Sequence, residues 1–424
     1  MPNPTKWLQP RAFHAFRCIG ADCEDTCCSG WLVNIDKATY DTYQSCQEPE
    51  IGPRLRELVT LNPAGTGSNS YARIGLAGAS CPFLDEGLCG IQKSLGESYL
   101  SIVCARFPRV LNVVDDVLQR SLDLSCPEAA RLLLLDPAAV QFDETEGSPH
   151  DSRLGELSVL TTEDESSRKP YPYFREIRAL AIDLLQYRAY PLWKRIVILG
   201  SFCDQLEQLS AAGQNAQVPA AVKWFREAIG SYRLDQAIHQ HSPKPVLQLG
   251  ILLELIVARI TGEFVSPRFL ACYQEFKDGI EWGAESSMEE IGQRYAAVYA
   301  GHLRPFLGRH GHILEHYLVS YVHRTLFPLG AQKGPGESIM DKGSETVRDR
   351  CLMMLVYYGV VQTVLTGMAG FRRAELDPTH AIRLIQSVSK AFEHNLSFAE
   401  KALKILAEKG VRNCASMAIL LRNE

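Results

Sequence analysis

Three scarcities narrow what this chain can do: little net charge, no leader-like start and almost no histidine beside its cysteines. Across 424 residues, 44 Lys and Arg stand against 49 Asp and Glu, a formal charge of −5. That balance gives no whole-protein basic field, so nucleic acid is not expected as a partner. An acidic surface favours a basic or lysine-bearing partner only weakly. The start MPNPTKWLQPRAF lacks an apolar core and a small-residue cleavage site, which predicts no secretory signal and a cytoplasmic location. No repeat of fixed period occurs. No strand is followed by G-x-G-x-x-G, and the glycines of GLAGAS, 75–80, are too sparse to replace it, so a Rossmann nucleotide site is not expected. The one long apolar run, CLMMLVYYGVVQTVLTGMAG at 351–370, is interrupted by Gln362, Thr363, Thr366 and glycines. It is flanked by RDR and FRR, which offer no charge asymmetry to orient it. It predicts a buried central helix and no membrane span.

What the sequence does have is cysteine. There are 13, and eight of them, Cys18, Cys23, Cys27, Cys28, Cys81, Cys89, Cys104 and Cys126, fall in the first 126 residues. In a cytosolic chain such clustering points to metal rather than disulfides. Because His14 is the sole histidine of that stretch, the site would be all sulfur, which leaves zinc or an iron–sulfur cluster. Structural zinc usually uses C-x2-C knuckles, and none occurs here. Cubane clusters accept more irregular loops; the C-x4-C-x3-C spacing of Cys18, Cys23 and Cys27 is one residue from the plant-type ferredoxin pattern and is not that motif. Iron–sulfur is therefore the first expectation, with zinc the alternative. Eight thiols exceed one four-ligand site, so either two sites exist or one cluster lies beside packed cysteines. Cys46, Cys203, Cys272, Cys351 and Cys414 are scattered and read as small buried hydrophobes.

The hydrophobic pattern predicts a mainly α protein, with a small cysteine-rich N-terminal domain of short β-strands followed by an all-helical domain. Residues 1–140 carry the strand signals WLVNID, YARIGLA and a hairpin, RVLNVV and VLQRSLDL, turning at Asp115-Asp116. Residues 141–170 are acidic and polar and read as a linker or long surface loop. From 171 to 424 the apolar spacing is helical. Pro191 breaks the first long run, Asp377 and Pro378 open one helix, and another begins on Ser397 and stops at Gly410. Residues 331–345 read as a glycine-rich loop.

Four blocks, C-x4-C-x3-CC-x-GW-x-V-x-ID at 18–36, CPFL…LCGI at 81–91, GESYLSIVCARFPR at 96–109 and SCPEAARLLL at 125–134, are similar to the flagellin lysine-N-methylase family. So is LEHYLVSYVHRTLFPLG at 314–330, in the second half. The family belongs to a wider group with a zinc- or iron-chelating cysteine-rich domain. The resemblance implies transfer of methyl groups from S-adenosylmethionine to lysine side chains of flagellin. The alternative is a metal-binding or redox-responsive protein whose helical half recognises a partner and catalyses nothing. The C-x3-C-x2-C spacing of radical S-adenosylmethionine chemistry is absent. A lone-pair nitrogen needs no radical, so a structural or positioning role for a cluster is preferred.

The chemistry can be priced. A lysine with pKa about 10.4 is about 0.04% neutral at neutral pH, a deprotonation cost of roughly 4.6 kcal/mol that desolvation, a proton acceptor or alignment must offset. In the helical stretch 312–327, Glu315, Tyr317 and Tyr321 are the expected catalytic wall, the tyrosines being neighbours at i and i+4. His316 and His323, seven apart with no third ligand nearby, read as core or surface histidines. The S-adenosylmethionine site is expected in a cleft between the two domains, with no residue assigned.

Overall fold

The computed structural model describes the chain except residues 1–3, 5, 64–69, 148–156, 230, 232–241, 263–264, 333–345 and 412. The expected glycine-rich loop at 331–345 therefore lies, beyond its first two residues, outside the described residues. The chain is mainly helical, with short strands gathered near its N-terminus, as the apolar periods predict.

Among the described residues the ten strands are β1 Lys6–Pro10, β2 Val33–Ile35, β3 Val59–Leu61, β4 Ala72–Ile74, β5 Leu84–Asp85, β6 Leu88–Cys89, β7 Arg109–Val114, β8 Val117–Leu122, β9 Phe142–Glu146 and β10 Ser158–Leu160. The predicted hairpin is β7–β8, paired from Arg109↔Leu122 to Val114↔Val117, with Asp115 at φ +54° in its turn. It forms the centre of a five-stranded sheet in the order β10-β7-β8-β1-β9. Both edges come from the acidic stretch expected to be a linker. β9 pairs antiparallel with β1, and β10 pairs parallel with β7. Composition misled here because an edge strand needs a buried face on one side only. Glu144, Thr145 and Glu146 are exposed at that edge, where charge discourages further pairing.

A second, three-stranded sheet, β2-β4-β3, packs with helices α1 Lys37–Ser45 and α2 Ile51–Leu58. Asp36 caps α1 through the Thr39 amide at 2.9 Å and also accepts from the Ile102 amide at 3.2 Å, tying in a later loop. Val33, Ile35, Tyr43, Leu55, Ile74 and Phe83 form a small core of their own. The short helices α3 Gly90–Leu95 and α4 Ile102–Arg106 complete this unit, and α5 Pro127–Leu134 follows β8. The main core runs across the expected boundary at 140. Phe13, Phe16, Leu122, Leu124, Ala129 and Leu133 pack with the helical residues, not with the small core.

The helices of the second half are α6 Phe174–Gln186, α7 Leu192–Ala211, α8 Val218–Ala228, α9 Pro245–Ile260, α10 Pro267–Gly279, α11 Met288–Val298, α12 Arg304–His310, α13 His312–Arg324, α14 Val347–Arg372, α15 Pro378–Val388, α16 Leu396–Glu408 and α17 Cys414–Leu420. Pro191 separates α6 from α7 and Asp377 caps α15 through the Thr379 and His380 amides, as predicted. α16 begins earlier than expected. Asn395, not Ser397, is its cap, accepting from the Phe398 amide at 2.7 Å. α14 is long and apolar enough to cross a membrane by length and composition, yet its apolar window is entirely buried within the fold. It is the central helix around which α7, α9, α10, α11, α15, α16 and α17 pack. All five scattered cysteines are buried. Three of them meet, since the Cys351 thiol hydrogen-bonds those of Cys203 and Cys414.

Candidate functional site

The eight N-terminal cysteines, all free, separate into two groups. Cys27 and Cys28 follow the first loop, Cys89 ends β6 and Cys104 lies in α4. The Cys81 amide donates to the Cys28 carbonyl at 2.8 Å, which brings two of these segments together. The Cys28 thiol hydrogen-bonds those of Cys27 and Cys89. This pushes Cys27 down to about 7 and Cys89 down to about 6, while Cys28 is pushed far up. Burial raises Cys81 and takes Cys104 up to about 12, and both feel charge on Cys27 and Cys89. Cys18, Cys23 and Cys126 form the other group. Burial raises Cys126 to about 12, and Cys23 and Cys18 add to that.

The first group's chemistry, several thiols with two poised to ionise and no histidine among them, fits a soft all-thiolate group. Its geometry is not a finished cage. Among the described residues no three or more His, Cys, Asp or Glu side chains are arranged to hold a metal ion. The contacts therefore place the thiols together without closing a coordination shell.

The helical half grips the loop between the two groups. Between α15 and His394 the chain widens into a π-helical turn, Ser389–Glu393. Such turns insert one residue and re-aim side chains. Lys390 from this turn reaches the Asp25 carboxylate at 3.0 and 3.1 Å, the Thr26 carbonyl at 2.7 Å and the Ser29 hydroxyl at 3.2 Å. Gln386 donates to Asp25 and to the Ser125 carbonyl, both at 2.8 Å. Arg131 pairs with Glu24 at 2.7 Å. The Lys390 ammonium also lowers the Cys27 thiol.

One turn beyond Lys390, buried Glu393 joins a polar network in the interior, and half-exposed His394 closes it at the surface. Arg324, the last residue of α13, pairs with Asp123 at 3.2 Å and with Glu393. Tyr317 donates to Glu393 at 2.7 Å, and His394 Nε2 lies 3.0 Å from Asp123. Burial alone would raise the Asp123 carboxyl, but His394 and Arg324 hold it far below the carboxylate range.

The expected wall of Glu315, Tyr317 and Tyr321 divides over this arrangement. Tyr317 and Tyr321 flank the network, Tyr321 with its ring 5.9 Å from the Arg324 guanidinium. Burial and Glu393 keep the Tyr317 hydroxyl protonated, so it is a donor and not a base. Glu315 points elsewhere, because residues two apart on a helix do not share a face. It is buried and ion-paired with Arg188 at 2.8 Å and Arg195 at 2.7 Å. Those arginines overcome its burial and hold its pKa low, which makes it a structural tie to α7. His316 and His323 each hydrogen-bond a backbone carbonyl, Leu133 at 3.0 Å and Arg120 at 3.2 Å. Asp25, Asp123, Arg324, Lys390, Glu393 and His394 escaped the sequence reading. Asp123 stands about two hundred residues from Arg324, and a π turn leaves no mark on apolar periodicity.

A family model described as the FliB lysine N-methylase C-terminal domain matches residues 178–420. A lysine-N-methylase of Salmonella typhimurium is 33% identical over 137 residues, covering 32% of this chain and 34% of that protein. The flagellar biosynthetic protein FliU of Salmonella muenchen is 32% identical over 147 residues, 34% of this chain and 87% of that protein. The alignment thus spans about a third of the lysine-N-methylase. No solved structure matches the chain.

Proposed function

The chain belongs to the FliB lysine N-methylase family, and from that premise we propose that it transfers methyl groups from S-adenosylmethionine to lysine side chains of flagellin. The observation that carries the reading is positional. The family match at 178–420 contains Tyr317, Arg324, Lys390, Glu393 and His394, the residues that build the buried network and grip the cysteine loop. Flagellin co-expressed with the protein is expected to gain methyl-for-hydrogen mass increments on lysines, and not on arginines or its N-terminus, by intact-mass and fragment spectrometry. Unchanged flagellin beside folded protein would return the chain to a partner-recognition role without catalysis.

For the thiols, the proposal is that four of Cys27, Cys28, Cys81, Cys89 and Cys104 ligate an iron–sulfur cluster and the fifth packs beside it. Bound there, it would cross-link the loops that carry them. The support is the donor set, all sulfur with two depressed thiols. Protein purified without oxygen is expected to be brown and to carry iron and acid-labile sulfide. A colourless protein with stoichiometric zinc would replace the cluster by zinc.

A further inference from the structure

We infer that His394, oriented by Asp123, is the group that accepts the proton a substrate lysine must release as it is methylated. The inference rests on the lysine-methylase reading and goes beyond it by naming the base. Within the buried network, Arg324, Asp123 and Glu393 have side chains at most 9% exposed, whereas the His394 side chain is 47% exposed. It is the member of that network which a lysine presented by another protein can touch.

Its orientation is fixed from behind. Asp123 Oδ1 accepts from the Ser125 amide at 2.8 Å, and Oδ2 faces both Arg324 Nη1 at 3.2 Å and His394 Nε2 at 3.0 Å. A hydrogen on Nε2 satisfies the carboxylate and leaves the lone pair on Nδ1, which makes no hydrogen bond among the described residues. Charge favours the transfer as well. The charged groups facing the imidazole are Asp123, Arg324 and Glu393. Two carboxylates against one guanidinium leave a negative charge that an imidazolium neutralises. Loss of water on its inner side would lower the His394 pKa, but Asp123 outweighs it and holds the ring above its ordinary value.

The step balances simply. The lysine ammonium gives one proton to Nδ1. The freed nitrogen pair forms a bond to the methyl carbon of a sulfonium donor, the carbon–sulfur bond breaks, and its electron pair stays on sulfur. Lys390, four residues earlier on the π turn, anchors the cysteine loop, so the same turn holds the base and the loop in one register.

The test uses full-length protein, S-adenosylmethionine and flagellin. His394→Gln is expected to fold normally and to lower kcat by about 10²–10⁴-fold with little change in KM. The wild-type rate should fall as pH drops through the imidazole pKa, and the variant should lack that limb. Added imidazole should restore part of the rate to His394→Ala. Asp123→Asn should move the limb to lower pH, as expected of a positioning residue. A His394→Gln enzyme with wild-type kcat and pH profile overturns the inference and leaves the methylase reading standing. A folded His394→Ala that is slow but gains nothing from imidazole also overturns it. Wild-type protein that methylates nothing overturns both.

Discussion

Arg324→Met is expected to cost the fold about 3–5 kcal/mol, because it leaves two buried carboxylates, Asp123 and Glu393, without the cation between them. Methionine fills a similar volume, so the loss should be electrostatic rather than a cavity. The pH dependence tests this. Arg324 and His394 depress the Asp123 carboxyl, and a depressed acid contributes stability above its unfolded pKa, about 3.9, which is lost as pH falls through the folded value. The gap between wild type and variant should therefore be full at neutral pH and narrow as acid protonates the uncompensated carboxyls. Urea midpoints at neutral and mildly acidic pH would show it. An equal loss at both would mean that Arg324 contributes packing and not charge.

Gly367→Ala is the second large loss expected, and helix propensity argues the opposite. In an exposed helix alanine gains about 1 kcal/mol over glycine. Here α10 and α14 cross backbone to backbone. A Cβ on Gly367 would overlap the Phe276 carbonyl and ring, and one on Gly279 would overlap the Gly367 carbonyl. Both helices run through the main core, so separating them opens packed surface along their length. Overpacking of this kind costs about 1–3 kcal/mol or more even after the propensity gain. Gly250→Ala, in α9 with nothing within 4 Å of its Cβ, is the control and should be neutral or stabilising. If the two variants unfold alike, the close approach carries no penalty.

The contrast between those glycines marks a boundary of what can be read from the chain. Both sit in helical apolar runs, and only the partner helix distinguishes them. The same holds for Glu315 and Tyr317, adjacent in the sequence argument and assigned to opposite sides by the fold. Glu315 serves two arginines near α7, and Tyr317 serves a carboxylate on a turn seventy-six residues away. The acidic stretch 141–170 shows the reverse error. Its composition argued for a linker or surface loop, while backbone pairing with β1 and β7 makes short edge strands of 142–146 and 158–160 within it.

By itself the sequence determined the helical second half, the hairpin at 109–122, the buried nature of 351–370 and the concentration of thiols before residue 126. Each follows from local rules: apolar period, turn residues, charge flanks and residue type. Tertiary structure alone decided that the eight thiols fall into groups of five and three. It also decided that the small core ends before β7 while the first strand's neighbours join the helical core. Finally, it brought Asp123, Arg324, Glu393 and His394 together. Those contacts join residues up to about two hundred and seventy positions apart. Their energies come from desolvation and charge pairing in the assembled interior, conditions that no window of sequence contains.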